Sequence, residues 1–322
     1  MPSVRQLSNL TRAHALLDRI ALIDAHNDLA WVIRRDPRAQ GDVATYGLLR
    51  RRAGRDTDIP RLRAGKVRAQ FWAAFVPTAI PNPARTALEQ VDLIERIHAL
   101  YPEVFLRATC AADIDRAARL GRIASFMAIE NGAAIENSLA LLRTFYRLGA
   151  RYLTLCHNET LDWVDSATDA PRHGGLSDFG RRIIREMNRL GMIIDLAHTS
   201  AAVMHQALDL SEAPVAITHA NALALCDHPR NVGDDVLSRL RKNDGIFMAT
   251  LVPDFISQTL RDGLRPIVDD TGRLRPEINP ATASRPLTRA TRPPPPATPQ
   301  QLSSSAPYPR RLRAIGARAC WL

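Results

Sequence analysis

No uninterrupted apolar run approaches the roughly 18 residues that a membrane-spanning helix needs, and none is expected in this 322-residue chain. The N-terminus places Arg5, Arg12 and Arg19 among short apolar pieces and lacks an apolar core with a small-residue cleavage site behind it. No secretion signal is read there, and the expected location is cytoplasmic, with no membrane partner. Cysteine is scarce. Cys110, Cys156, Cys226 and Cys320 are scattered with no C-x-x-C spacing, which points to neither a disulfide framework nor a thiolate zinc site. Cys156 lies beside His157, but a small buried strand residue is favoured there over a thiol nucleophile. Acidic residues stop at Glu277. Seven arginines follow within residues 281–322, so of the net charge of +10 only +3 belongs to the first 280 residues. The basicity sits in the tail, which argues against a nucleic-acid partner for the domain.

What the chain does contain is alternation. From about residue 22 to 253, short apolar, β-rich runs alternate with amphipathic helical stretches, the signature of βαβ units and a parallel sheet. Seven candidate strands are Leu22–Asp28, Ala69–Pro77, Ala124–Gly132, Ala150–Asn158, Gly191–Ser200, Pro214–Asn221 and Gly245–Pro253. Helical patterns lie between them at Ala87–Tyr101, Ser138–Leu148 and Asp178–Leu190. In the last, Phe179, Ile183, Ile184 and Met187 share a face, Asp178 or Ser177 suits the N-cap, and Gly191 suits the stop. Seven near-continuously apolar strands, of the eight a closed barrel needs, predict an α/β fold of TIM-type (β/α)8 architecture that is incomplete. Residues 1–280 form this barrel domain in the reading. From Ala281 onward, Pro293–Pro296, Pro299, Ser303–Ser305, Pro307 and Pro309 have the composition of a disordered Pro/Ser/Arg-rich tail.

The polar residues that stand out lie at the C-terminal ends of the candidate strands, which is the catalytic face of a barrel. His26 and Asp28 are two apart, so on a strand both point to one side and make a natural pair of metal ligands. Taken alone, the pair also fits a polar strand end. Glu130 follows the apolar run Phe126–Ile129 and is costly to bury uncompensated, unless it is a solvated residue at a loop start. His198 and His219 end two successive strands, and either alone would read as a satisfied core histidine. Five ligand-type residues on one rim predict a metal site. Two cations held close together need a bridging anion, which a carboxylate supplies. Glu130 is the expected bridge, with His26 and Asp28 completing one site and His198 and His219 the other. A water between the metals then loses its proton near neutral pH and becomes a bridging hydroxide nucleophile. His157 is a candidate to polarise the scissile carbonyl, and Arg230 offers a planar fork for a substrate carboxylate, although alone it reads as a surface residue. His173 and His228 sit beside or near prolines in loops and are read as solvated or hydrogen-bonded.

These segments resemble the renal (membrane) dipeptidase group, peptidase family M19. The matching pieces are Leu22–Leu29, Asp58–Leu62, Ile129–Gly132, Leu153–Asn158, Asp195–Ser200, Ile217–Ala220 and His228–Asp235, in order over about residues 18–280. The resemblance implies a two-zinc TIM barrel that hydrolyses dipeptides, including ones with a D-residue at the C-terminal position. It implies His26 and Asp28 as ligands of one zinc, His198 and His219 of the other, and Glu130 as the bridge. His157 matches the residue at the substrate carbonyl and Arg230 the one at the substrate carboxylate. Such proteins often form homodimers. Members also carry an eighth strand with a Gly-Ser-Asp-Phe type motif, whose aspartate contacts the substrate amine; no such motif occurs here. With arginine outnumbering lysine 41 to 2, the gene is expected to be GC-rich, and a frameshift would give an Arg/Pro/Ala/Ser tail like that from Ala281. Two other readings stay open. One is another amidohydrolase-type barrel, although those open with H-x-H and often use a lysine that Lys66 and Lys242 are misplaced to supply. The other is a catalytically impaired, truncated pseudoenzyme that binds metal only.

Overall fold

Strand β4 (Ile123–Glu130) is the centre of the sheet, with all eight residues buried. A run this apolar is stable as a strand only when both of its faces are covered. The computed structural model describes residues 4–264. On one edge β4 pairs with β2 (Val67–Phe75), which pairs with β1 (Leu22–Asp24). On the other it pairs with β5 (Ala150–Thr154), followed by β6 (Ile193–Asp195), β7 (Ala216–Ala220) and β8 (Ile246–Ala249). Every pairing is parallel. A three-residue strand, β3 (Phe105–Arg107), takes the start of the β4 edge, opposite Ile123–Ser125, before β5 takes its end. This strand was not expected; Phe105-Leu106-Arg107 is too short to show a period.

The sheet is curled. In a flat sheet β1 and β7 would stand five strand spacings apart, about 24 Å. Instead the rings of His26, after β1, and His219, in β7, stack with centroids 3.8 Å apart. The Tyr152 hydroxyl of β5 likewise reaches Ala25 O across the interior at 3.0 Å. All seven expected strands are present in an incomplete barrel, and among the described residues β1 and β8 do not pair with each other. The outer face of β2 and β4 meets the helix Pro83–Leu100, where Ser125 Oγ holds both Trp72 Nε1 and His98 Nε2 at 2.7 Å. The helix Asp178–Leu190 matches its expected bounds. Ser177 Oγ accepts from Gly180 N, Gly191 ends the helix at φ +73°, and Ile183, Ile184 and Met187 are buried. Among the described residues, no helix is long and apolar enough to cross a membrane. The boundary at residue 280 and the tail 281–322 lie outside the described residues.

One expectation is corrected. Each strand leaves the ladder before its expected end, β1 at Asp24, β5 at Thr154 and β6 at Asp195. His26, Asp28, His157 and His198 therefore sit in the loops after β1, β5 and β6, while Glu130 and His219 stay within β4 and β7.

Candidate metal centre

Glu130 ends β4 and is only 2% exposed, so its carboxylate must find partners within the protein. Four imidazoles from four other strand ends surround it. Oε2 lies 3.4 Å from His26 Nε2, whereas Oε1 lies 3.2 Å from His198 Nε2, 3.5 Å from His219 Nε2 and 3.9 Å from His157 Nε2. The two oxygens thus face different partners. Register explains the convergence: Phe75, Glu130, Thr154 and Asp195 lie in one row across four strands; the loops above that row supply His26, His157 and His198, and β7 supplies His219.

His26 and Asp28 meet, though not through strand alternation. His26 N bonds to Asp24 Oδ1 at 3.1 Å and Leu29 N to Asn27 Oδ1 at 3.0 Å, and this turn carries the chain into the next helix. Asp28 occupies the N-cap of that helix but makes no side-chain cap bond. Its Oδ1 is buried, 3.5 Å from His26 Nε2, with no hydrogen-bond partner among the described residues. His198 is held by its backbone, at φ +70°, a conformation costing roughly 1–3 kcal/mol for a non-glycine residue. Its carbonyl accepts from Ala167 N at 2.8 Å. Gly132, two residues beyond Glu130, has no room for a side chain, because a Cβ would lie 2.3 Å from Leu155 O.

The electrostatics follow the packing. Burial pushes the Glu130 carboxyl up to about 7, against the pull of His26. Burial alone would lower His26, but the charge of Glu130, with Tyr152 and Asp28, holds it well above its usual value. Burial, Arg230 and the neighbouring imidazoles push His198 and His219 well below theirs. The residues present fit divalent cations: a buried carboxylate shared by two groups of imidazoles, and a buried carboxylate oxygen without a partner. His26, Glu130 and His219 form one set, and Glu130, His157 and His198 another, with the ligand atoms in each set within 4.8 Å of one another. The partition expected from sequence is not a division in distance, since His219 Nε2 also lies 2.9 Å from His198 Nε2.

Arg230 is 3% exposed and so is not the surface residue it would be in isolation. Nη2 donates to His219 O at 3.1 Å, the guanidinium lies over the Phe255 ring, and Nη1 is buried with no hydrogen-bond partner among the described residues. Burial lowers its pKa to about 10, which leaves it charged at neutral pH. His228 is buried, not solvated; its Nδ1 accepts from Arg230 N at 3.0 Å. His173 Nε2 lies 2.9 Å from Leu161 O. Cys156 is fully buried and its thiol is pushed up by burial, as suits a packing residue rather than a nucleophile. Tyr152, Thr218 and Asp195, which stand behind the histidines, were not singled out by sequence reasoning; the signal was a tyrosine and a threonine inside apolar strands.

Residues 10–282 match the family described as Membrane dipeptidase (Peptidase family M19). The chain belongs to that family. Dipeptidase 3 of Mus musculus is 39% identical over 83% of this chain and 54% of its own. An uncharacterized dipeptidase of Schizosaccharomyces pombe is 41% identical over 76% of this chain and 63% of its own. The chain thus spans somewhat over half the length of these M19 relatives. Among solved structures, a metallo peptidase from Rhodobacter sphaeroides, liganded with a phosphinate mimic of the dipeptide L-Ala-D-Ala, superposes with a TM-score of 0.66 at 23% identity. That match covers 74% of this chain and 76% of the other. The probable dipeptidase PvdM from Pseudomonas aeruginosa gives 0.69 at 23%, over 79% and 66%. At these identities the likeness is one of fold.

Proposed function

We propose that this M19 chain is a metal-dependent dipeptidase that holds two zinc ions. The observation that carries the reading is the split of the Glu130 carboxylate, one oxygen toward His26 and the other toward His198 and His219. In this reading His26 and Asp28 would hold one cation and His198 and His219 the other, with Glu130 available to both. The cations, when bound, would supply a water acidic enough to attack near neutral pH and would polarise the scissile carbonyl. His157, more exposed than the other three histidines, reaches the carbonyl oxygen and stabilises the charge that develops on it. Arg230 directs its unpartnered Nη1 to the substrate carboxylate, which selects short peptides with a free C-terminus.

The test is hydrolysis of a small panel of L,L and L,D dipeptides by the purified full chain, with added zinc and with chelator. Chelator-sensitive turnover is expected, and activity on L,D members would extend the reading to D-residues. The edges of β1 and β8, unpaired among the described residues, favour a second reading, a chain that binds zinc without turning over. Zinc-loaded, folded protein inactive on every dipeptide would establish that reading and overturn the first.

A further inference from the structure

Two hydroxyls behind the histidines have their proton direction settled by what lies on their far side. Tyr152 places its hydroxyl 3.0 Å from Ala25 O and 3.0 Å from His26 Nδ1. A carbonyl oxygen only accepts, so the phenol proton points to Ala25 and the phenol oxygen receives the His26 Nδ1 proton. Thr218 repeats the logic. Its Oγ1 lies 2.8 Å from Asp195 Oδ2 and 2.8 Å from His219 Nδ1. Asp195, fully buried, also accepts from Thr154 Oγ1 at 2.6 Å, Thr218 N at 3.0 Å and Ala197 N at 3.1 Å. With donors on every side it takes the threonine proton, and Thr218 Oγ1 is left to accept from His219 Nδ1–H.

We propose that Tyr152 and the Thr218–Asp195 pair are positioning residues that keep a proton on Nδ1 of His26 and of His219, so that Nε2 is the nitrogen each can free for a cation. Each imidazole then presents Nε2 to Glu130 and to a divalent cation beside it. This rests on the metal-centre reading and deepens it, because the hydrogen bond on the far nitrogen sets which nitrogen of a ligating histidine is available. A third histidine supplies the contrast. The 2.9 Å contact between His198 Nε2 and His219 Nε2 needs one proton, and with His219 protonated on Nδ1 that proton belongs to His198. The Nδ1 of His198 is accordingly bare, buried with no hydrogen-bond partner among the described residues. Two of the ligand histidines are therefore set by outer partners and one is not.

Thr218→Val removes the hydroxyl at nearly constant shape, and Thr218→Ser keeps it. In metal-free full chain with 15N-labelled histidine, two-bond proton–nitrogen correlations read the tautomer of His219, assigned by difference against His219→Gln. The expected result is Nδ1–H in the parent and in Thr218→Ser, and loss of that preference in Thr218→Val. Zinc affinity, measured by competition with a chromophoric chelator, should fall about 10- to 100-fold in Thr218→Val and in Tyr152→Phe, and return in Thr218→Ser. An Nε2–H His219 in the parent, or unchanged affinity in both Thr218→Val and Tyr152→Phe, overturns the proposal. The tautomer is read without metal or substrate. A parent that binds no zinc would sink the metal-centre reading while the tautomer still decides the hydroxyl relays.

Discussion

Strands β4 and β8 contain the same four apolar residues in different order, Phe126-Met127-Ala128-Ile129 and Ile246-Phe247-Met248-Ala249. In β4 all four are buried, none more than 4% exposed, whereas in β8 none is buried and Ile246 is 38% exposed. Composition therefore does not decide burial here; position in the sheet does. β4 has a strand on each edge and helices behind it, while β8 has a neighbour only at β7 among the described residues. The candidate metal centre divides along the same line. Its five donors come from the ends of β1, β4, β6 and β7, with His157 after β5, and β8 supplies none of them. The centre reaches the edge strand β1, which supplies His26 and Asp28, and stops short of the other edge strand, β8.

The largest effect is expected where β4 ends. Glu130→Gln keeps the shape of the side chain and removes the charge that both sets of imidazoles face. Zinc binding should be lost and dipeptide turnover should fall at least about 100- to 1000-fold. Metal analysis of the purified variant, beside its activity, checks both; a zinc-loaded Glu130→Gln would remove Glu130 from the centre.

Next comes the matched pair that tests the comparison itself. Ile129→Ala in β4 should cost about 2–5 kcal/mol, as for a fully enclosed isoleucine. Ile246→Ala in β8 removes the same atoms from a half-exposed site and should cost about 1 kcal/mol or less. Urea unfolding of both variants gives the ratio. Equal costs would mean that β8 is covered as well as β4 is.

This contrast also explains what was legible in the sequence. The strands showed because each is a short continuous apolar run, and such runs look alike whether central or marginal, so Ile246–Ala249 gave no sign of its exposure. The helix Asp178–Leu190 was legible to the residue because its cap, its face and its terminal glycine are all local. His26, Asp28, Glu130, His198 and His219 stood out through residue type against apolar surroundings, and the structure gathers them. Their loop placement did not show, since His26-Asn27-Asp28 turns only because Asp24 and Asn27 bond to backbone amides. Arg230 was ambiguous because its burial is made by Phe255 and His219 O, which lie 25 and 11 residues away. Tyr152 and Thr218 were invisible as partners because their contacts exist only once the sheet has curled.

A smaller effect lies on the helices that cover the closed side. Glu186, in the helix Asp178–Leu190, bonds to Arg189 and to Arg143 of the helix Leu139–Leu148. These bonds, Arg189 first, hold its carboxyl down at about 2. A folded-state value below the unfolded one stabilises the fold above the usual carboxylate range, and that contribution disappears as the pH falls through about 2. Both arginines are partly exposed, so Glu186→Gln should cost no more than about 1 kcal/mol at neutral pH. The difference from the parent should shrink steadily below about pH 4. A difference independent of pH would assign the cost to shape instead of charge.

The smallest effect on stability, and the sharpest test of the open edge, is Ile246→Lys. An unpaired strand edge carries free N–H and C=O groups that recruit other strands, and a lysine there opposes such pairing. Ile246 opens β8 at the end of the sheet away from the metal centre, opposite Ala216, so the charge should leave zinc binding unchanged. If the edge is bare, the parent should self-associate as its concentration rises. The variant should do so less, with stability within about 0.5 kcal/mol of the parent. Light scattering over a concentration series, paired with urea unfolding, reads both. A parent that stays monodisperse while Ile246→Lys unfolds it would mean that β8 is covered after all, and the contrast with β4 would then be one of partner rather than of exposure.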